Sequence, residues 1–218
     1  MQALVTGFEP FGGERVNPSF EALKRLPPRL GALDIATRSL PVIYGAALLG
    51  LRQAIAETAP DIVLCTGLAG GRAELSLERV AINVDDARIP DNGGNQPIDQ
   101  PVVAGAPAAY FATLPIKAAV RALREAGLPA AVSNSAGTFL CNHVFFGLMH
   151  EAAQLAQKTG GKKFRGGFLH VPFLPSQAAQ QRGVPSMALE QIVEGIEVVL
   201  SVAAARVNDL AVSEGAIS

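Results

Sequence analysis

A cysteine, a histidine and an acid together make a thiol mechanism, and this chain offers Cys141, three histidines and Glu78 for those parts. Cys141 closes the stretch Ser135-Ala136-Gly137-Thr138-Phe139-Leu140-Cys141-Asn142-His143, where a Gly/Thr turn runs into an apolar, helix-like segment at 144–156. With that segment helical, Cys141 falls in its first turn. Partnerless backbone N–H groups and the positive dipole end there stabilise a thiolate and lower its pKa. The competing reading is a core thiol, because free cysteine is among the most buried residue types.

For the base, His143 stands two positions past Cys141 on the same helix, about 200° round the axis, so its ring points away from the thiol. His150 lies well down that helix, where a surface or cap-like role is expected. His170 ends Gly166-Gly167-Phe168-Leu169-His170-Val171-Pro172, a buried-strand pattern stopped by proline, and so sits at the carboxyl edge of a sheet. It is the best base, against the alternative of a core histidine bonded to backbone. In Leu75-Ser76-Leu77-Glu78-Arg79-Val80-Ala81-Ile82-Asn83-Val84, alternation puts Glu78 on a face with Val80, Ile82 and Val84. A carboxylate buried there needs a partner, and a protonated His170 would serve. Leu75 and Leu77 occupy the opposite parity, so a bulge that turns Glu78 out toward Arg79 stays open.

Cys65, inside Ile62-Val63-Leu64-Cys65, reads as core. Zinc ligation by Cys141, His143, His150 and His170 lacks any Cys-x-x-Cys or His pair at helical spacing, so no metal or cofactor is expected. Two Gly-rich turns follow strands, Gly7-Phe8-Glu9-Pro10-Phe11-Gly12-Gly13 and Thr66-Gly67-Leu68-Ala69-Gly70-Gly71-Arg72, without the endings that cradle a nucleotide. Phe8 and Phe11 are either core fillers or the apolar walls of a pocket for a flat, neutral ring.

The elements that must position these groups alternate along the chain. Strands are expected at 2–6, 35–40, 61–66, 75–84, 130–134 and 166–171, and helices at 19–26, 45–57, 115–126, 142–157 and 187–206. An irregular, Pro/Gly-rich segment at 85–107 is too long for an ordinary connection and, with Val102-Val103, is a candidate contact surface. This pattern predicts an α/β fold: a three-layer α/β/α domain over 1–218 with a mixed, largely parallel central sheet, phosphorylase- or hydrolase-like, binding ligands at the carboxyl ends of its strands. Lysine plus arginine number 18 against 19 acidic residues, with no run of one sign, which excludes a nucleic-acid grip. No stretch reads as a leader or a membrane span, and two cysteines make no disulfide framework. A soluble cytoplasmic protein is expected. At 49% apolar and 17% charged, the chain also has material for a subunit interface.

These motifs, in order, resemble the pyroglutamyl peptidases (pyrrolidone carboxyl peptidases). The likeness runs through Thr6-Gly7-Phe8-Glu9-Pro10-Phe11-Gly12-Gly13, Asn17-Pro18-Ser19, Ala69-Gly70-Gly71-Arg72, Glu78-Arg79-Val80-Ala81-Ile82-Asn83 and Ala87-Arg88-Ile89-Pro90-Asp91-Asn92. It continues through Leu114-Pro115-Ile116-Lys117, the Cys141 stretch and Phe168-Leu169-His170-Val171-Pro172. The resemblance implies a thiol peptidase that removes an N-terminal pyroglutamyl residue from peptides and proteins, with a triad of Cys141, His170 and Glu78. It also implies a thioester acyl-enzyme, a lactam site drawn from Phe8, Phe11, Asn17 and Leu140, a role for Arg88 near the reacting carbonyl, and a homotetramer. Some members have glutamine where this chain has Leu68, so any polar contact made by that glutamine is missing here. That bears on substrate affinity and not on reaction type. Two rival classes fit the elements less well. A nucleoside phosphorylase-like enzyme needs no thiol at a helix start, and in a non-catalytic binding module Cys141 would react no faster than Cys65.

Overall fold

Residues 1–158 and 163–215 are described by the computed structural model. Apolar runs of strand length form β1 (Gln2–Phe8), β3 (Leu33–Leu40), β4 (Ile62–Leu68), β5 (Leu75–Glu78), β8 (Ala130–Ser133) and β9 (Arg165–Val171). Three shorter strands join them: β2 (Arg29–Leu30), β6 (Val80–Ile82) and β7 (Ala109–Phe111). The helices are α1 (Pro18–Leu23), α2 (Ala46–Thr58), α3 (Ile116–Glu125), α4 (Leu140–Gln157), α5 (Pro175–Ala178) and α6 (Leu189–Ala205). The expected elements are present with shifted ends; β2, β7 and α5 are too short to show in a periodicity.

The main sheet runs β2-β3-β1-β4-β9-β5-β8. Its β1, β3, β4 and β9 are mutually parallel, β5 and β8 are parallel to each other, and the pairs β2–β3 and β5–β9 are antiparallel. The sheet is therefore mixed and mostly parallel, as expected. Both of its faces are apolar because helices cover both. Leu64, Leu75, Leu77 and Leu169 pack on one side with Leu23 of α1, Val120 and Leu123 of α3, and Ile196 and Val199 of α6. Val63, Cys65 and Phe168 pack on the other with Leu51 of α2 and Val144, Phe145 and Phe146 of α4. Each large side chain so buried contributes about 1.5–3 kcal/mol. The start of α4 is buried all round from Asn142 to Met149, so its position against the sheet is held from several sides.

The single strand expected at 75–84 breaks in two. β5 stops at Glu78, Arg79 N–H donates to Ser133 O at 2.8 Å, and β6 leaves to pair with β7 in a separate two-stranded sheet. What draws it away is Asn142 of α4, whose amide accepts from Ile82 N–H at 3.0 Å and donates to the carbonyls of Ile82 and Val84, each at 2.9 Å.

The long connection that follows is held by its own bonds. Asp85 and Gln100 exchange backbone hydrogen bonds of 2.7 and 3.0 Å, and Thr138, just before α4, donates its hydroxyl to Asp86 O and accepts at its carbonyl from Asp86 N–H. Val102 and Val103 are half-buried against the chain's own core on the α4 side, where a contact surface was expected. Among the described residues, no helix is long and apolar enough to cross a membrane.

Candidate active site

β9 places His170 between two neighbours. Gly67 of β4 and Ser76 of β5 are its register partners, and Cys65 of β4 is the partner of Phe168. Since side chains alternate, Cys65, Gly67, Phe168, His170, Ser76 and Glu78 all belong to the face covered by α4. His170 is 4% exposed and Glu78 is fully buried, and His170 Nδ1 meets Glu78 Oε1 at 2.7 Å. A carboxylate only accepts, so Nδ1 carries the proton and donates it, leaving the lone pair on Nε2. Burial lowers the His170 pKa, against the raising effect of Glu78 and with a lowering one from Arg72, so the ring is neutral at neutral pH. Arg72, not Arg79, is the cation that meets Glu78: its Nη1 donates to Oε1 at 2.8 Å and its Nη2 to Ser135 O at 3.2 Å. Arg79 instead donates to Glu214 O.

Cys141 enters this face from above. It is the second residue of α4, half-buried, behind a turn in which Gly137 has φ +76°, a left-handed conformation that favours glycine. The N-cap, Phe139, has no side-chain oxygen, and the first helical bond runs from His143 N–H to Phe139 O at 3.1 Å. The N–H groups of Leu140, Cys141 and Asn142 thus have no carbonyl within the helix to bond. A methyl group placed on Gly67 would lie 2.9 Å from Cys141 Sγ and 2.9 Å from Phe168 Cζ. The thiol therefore rests on the bare backbone of His170's own register partner, and only glycine leaves room for it.

The expectation of a lowered thiol pKa is not met. Burial pushes Cys141 up to about 12, with Glu78 acting in the same direction and Arg72 against it. A thiol at that value is protonated at neutral pH, so the resting pair is a neutral thiol and a neutral imidazole.

Beside the thiol lies a tight cleft, a cavity of only about 10 Å³, lined by Phe8, Phe11, Asn17, Val42, Leu68, Phe139, Leu140 and Cys141. Phe8, Phe11, Asn17 and Leu140 thus come together at Cys141. Phe139 was missed as a wall; its ring stands 6.1 Å from Phe11 and edge-on to Tyr44 at 5.8 Å. The Asn17 amide caps α1 through Ser19 N–H at 3.1 Å, accepts from Ser19 Oγ, and donates to Glu9 O at 3.1 Å, so it pins the turn that carries Phe11. Arg88 is exposed on the long loop, two residues past the Asp86–Thr138 clamp, and outside the hydrogen bonds joining Glu78, His170 and Arg72. A larger, polar cavity bordered by Tyr44, Asp85, Asn95, Gln96 and Gln100 contains no nucleophile.

The other histidines are engaged elsewhere. His143 Nδ1 meets Asp85 Oδ2 at 2.7 Å while its Nε2 accepts from Gly45 N–H at 3.3 Å. His150 Nδ1 meets Tyr110 Oη at 3.0 Å and its ring stacks on Phe146, so it is half-buried under β7 where a surface role was expected. Cys65 is fully buried and its thiol is pushed up to about 12 by burial, the behaviour of a core residue.

A thiol at a helix start, seated over the strand partner of a buried histidine on an α/β/α scaffold, defines a cysteine-type hydrolase. The family model described as pyroglutamyl peptidase matches residues 1–206. Pyrrolidone-carboxylate peptidase of Yersinia pestis strain Pestoides F is 50% identical over 217 residues, covering 99% of this chain and 99% of that protein. Among solved structures, pyroglutamyl peptidase I of Bacillus amyloliquefaciens matches with a TM-score of 0.90 at 45% identity, over 96% of this chain and 99% of that one. A variant of pyrrolidone carboxyl peptidase from the hyperthermophile Pyrococcus furiosus matches with a TM-score of 0.89 at 44% identity, over 94% and 99%. The chain belongs to the pyroglutamyl peptidase family, and it is a cysteine-type peptidase.

Proposed function

We propose that the chain removes N-terminal pyroglutamate from peptides and proteins by a Cys141–His170–Glu78 triad through a thioester. The observation that carries this reading is the seat of Cys141 Sγ over Gly67, the register partner of a histidine already bonded to a buried glutamate. Pyroglutamate has no free α-amine, so recognition rests on a neutral lactam held between aromatic and aliphatic walls. Phe8, Phe11, Phe139 and Leu68 are such walls. With the Asn17 amide already engaged and Leu68 apolar, the ring N–H and carbonyl are met by backbone groups at the mouth of the pocket.

In the forward step, Cys141 Sγ attacks the pyroglutamyl carbonyl as its proton passes to His170 Nε2. With both groups neutral at rest, proton transfer accompanies attack. The free N–H groups at the start of α4, with Arg88 near the carbonyl, stabilise the oxyanion. His170 then protonates the leaving amine, and water activated by the same ring cleaves the thioester and releases pyroglutamate. Glu78 holds the imidazole in its Nδ1–H tautomer throughout. No metal or cofactor takes part. The reading extends to one peptidase domain over 1–218 and to a cytoplasmic homotetramer, for which exposed Phe111 and Ile98 are candidate contacts.

The test is release of a chromophoric amine from its pyroglutamyl amide, compared with the prolyl amide. A large preference for the lactam is expected, and equal rates would sink the pocket assignment. Cys141→Ala should abolish turnover while the fold survives; retained activity would remove the thiol from the mechanism.

A further inference from the structure

We propose that Arg72 is a positioning residue for the reaction: one guanidinium holds the Glu78 carboxylate against His170 and braces the turn that delivers Cys141. The inference rests on the triad reading given above. Glu78 is fully buried, and a carboxylate in that position is costly unless a cation and hydrogen bonds compensate it. Both of its bonds fall on Oε1, from His170 Nδ1 at 2.7 Å and Arg72 Nη1 at 2.8 Å, while Oε2 is buried without a hydrogen-bond partner among the described residues. Without Arg72, the only group left on the carboxylate is a neutral imidazole.

The other guanidinium nitrogen reaches the turn before α4. Arg72 Nη2 donates to Ser135 O at 3.2 Å, and the Ser135 hydroxyl accepts from Gly137 N–H, the left-handed residue of the turn into α4. The planar fork thus links β5's acid to the segment that sets the height of Cys141. A lysine can reach one of these acceptors but cannot bridge both. Arg72 belongs to the connection between β4 and β5, and its side chain is 33% exposed, so its removal opens no core cavity.

The charges facing the reacting groups are few. Glu78 and Arg72 act on His170, Glu78, Arg72 and Cys65 act on Cys141, and Cys141 in turn acts on Tyr44; Arg72 lowers the proton affinity of both His170 and Cys141. Removing the cation raises the proton affinity of the Glu78–His170 pair whichever member takes the proton, so the acid limb of activity moves to higher pH. The thiol moves the same way.

Arg72→Met and Arg72→Lys decide the matter through two readouts, the pH profile of kcat/KM on a pyroglutamyl amide and the pH profile of Cys141 alkylation by iodoacetamide. For Arg72→Met, kcat should fall about 100-fold with KM changed less than about threefold. The acid limb of kcat/KM should shift up by about one pH unit, and alkylation should be several-fold slower at each pH between about 7 and 9. Arg72→Lys should recover part of the rate and most of the shift, since it restores charge but not the bridge. Unshifted profiles in Arg72→Met, whether or not its activity falls, would reduce Arg72 to a partly exposed ion pair and overturn the proposal. Alkylation is read without turnover, so a chain inactive on pyroglutamyl amides would fail the functional reading while this profile still decided on Arg72.

Discussion

The molecule contains two histidine–carboxylate pairs built to the same length. His170 and Glu78 meet through Nδ1 at 2.7 Å on the sheet, and His143 and Asp85 meet through Nδ1 at 2.7 Å between α4 and the long loop. All four side chains are buried. Distance, burial and tautomer therefore do not separate a reactive pair from a structural one; the far side of the ring does. His143 Nε2 already accepts from Gly45 N–H, and Tyr44 lies edge-on to the ring at 5.0 Å, so its lone pair ties α4 to the start of α2. His170 Nε2 makes no hydrogen bond among the described residues, so under the proposed mechanism this pair takes a proton while the other holds two segments together.

The largest expected effect tests that division directly. His170→Ala should lower kcat at least about 10³-fold, whereas His143→Ala should lower it less than about tenfold while costing about 2–4 kcal/mol in chemical denaturation. Reversed outcomes would exchange the two roles. Next, Glu78→Gln should lower kcat by about 10² to 10⁴ by removing the charge that orients His170, while Asp85→Asn changes kcat only a few-fold; steady-state rates at saturating substrate show the contrast. Gly67→Ala sharpens the geometry. Its methyl group would displace Sγ from the seat over β4, and a fall in kcat of about 10-fold or more with the fold retained is the expected result.

The pH dependence follows from the shifts. His170 is lowered from 6.5 by burial, so the acid limb of kcat/KM should lie below that value. The sign for stability agrees: the unfolded chain takes up the proton first, so this contribution is present above pH 6.5 and is lost as the pH falls below it. Cys65 and Cys141 behave in the opposite sense. Both are raised from 9.0 to about 12, so the unfolded chain loses these protons first and stability declines as the pH rises from 9 toward 12. The smallest effect is expected for Cys65→Ala, which should flatten that decline in denaturation curves at pH 8 and pH 10 with activity nearly unchanged.

Much of this was legible in the sequence because it rests on local pattern. Strands apolar throughout announced a sheet covered on both sides, and proline after Val171 put His170 at its edge. The partnership of Glu78 was harder. Parity along 75–84 assumed one strand, whereas the side chain of Asn142 captures Ile82 and Val84 and pulls that segment off the sheet after Glu78. No period in the sequence records a hydrogen bond 60 residues away. Arg72 was hidden for a similar reason. Arg79 is adjacent in sequence, but the antiparallel placement of β5 beside β9 brings the end of the β4–β5 connection to the carboxylate instead. The thiol pKa went the wrong way because a helix start can be read from sequence and the depth of its burial cannot.

The position of β9 carries a consequence for how activity is acquired. It is the last strand among the described residues, yet it lies between β4 and β5, with the acid on one flank and the glycine seat of the thiol on the other. Under the proposed mechanism, Cys141 lacks its base and Glu78 its imidazole until β9 inserts. Closing contacts so distant in sequence is slow compared with forming the helices. During refolding, peptidase activity should rise together with hydrogen-exchange protection of residues 165–171 and after that of α4.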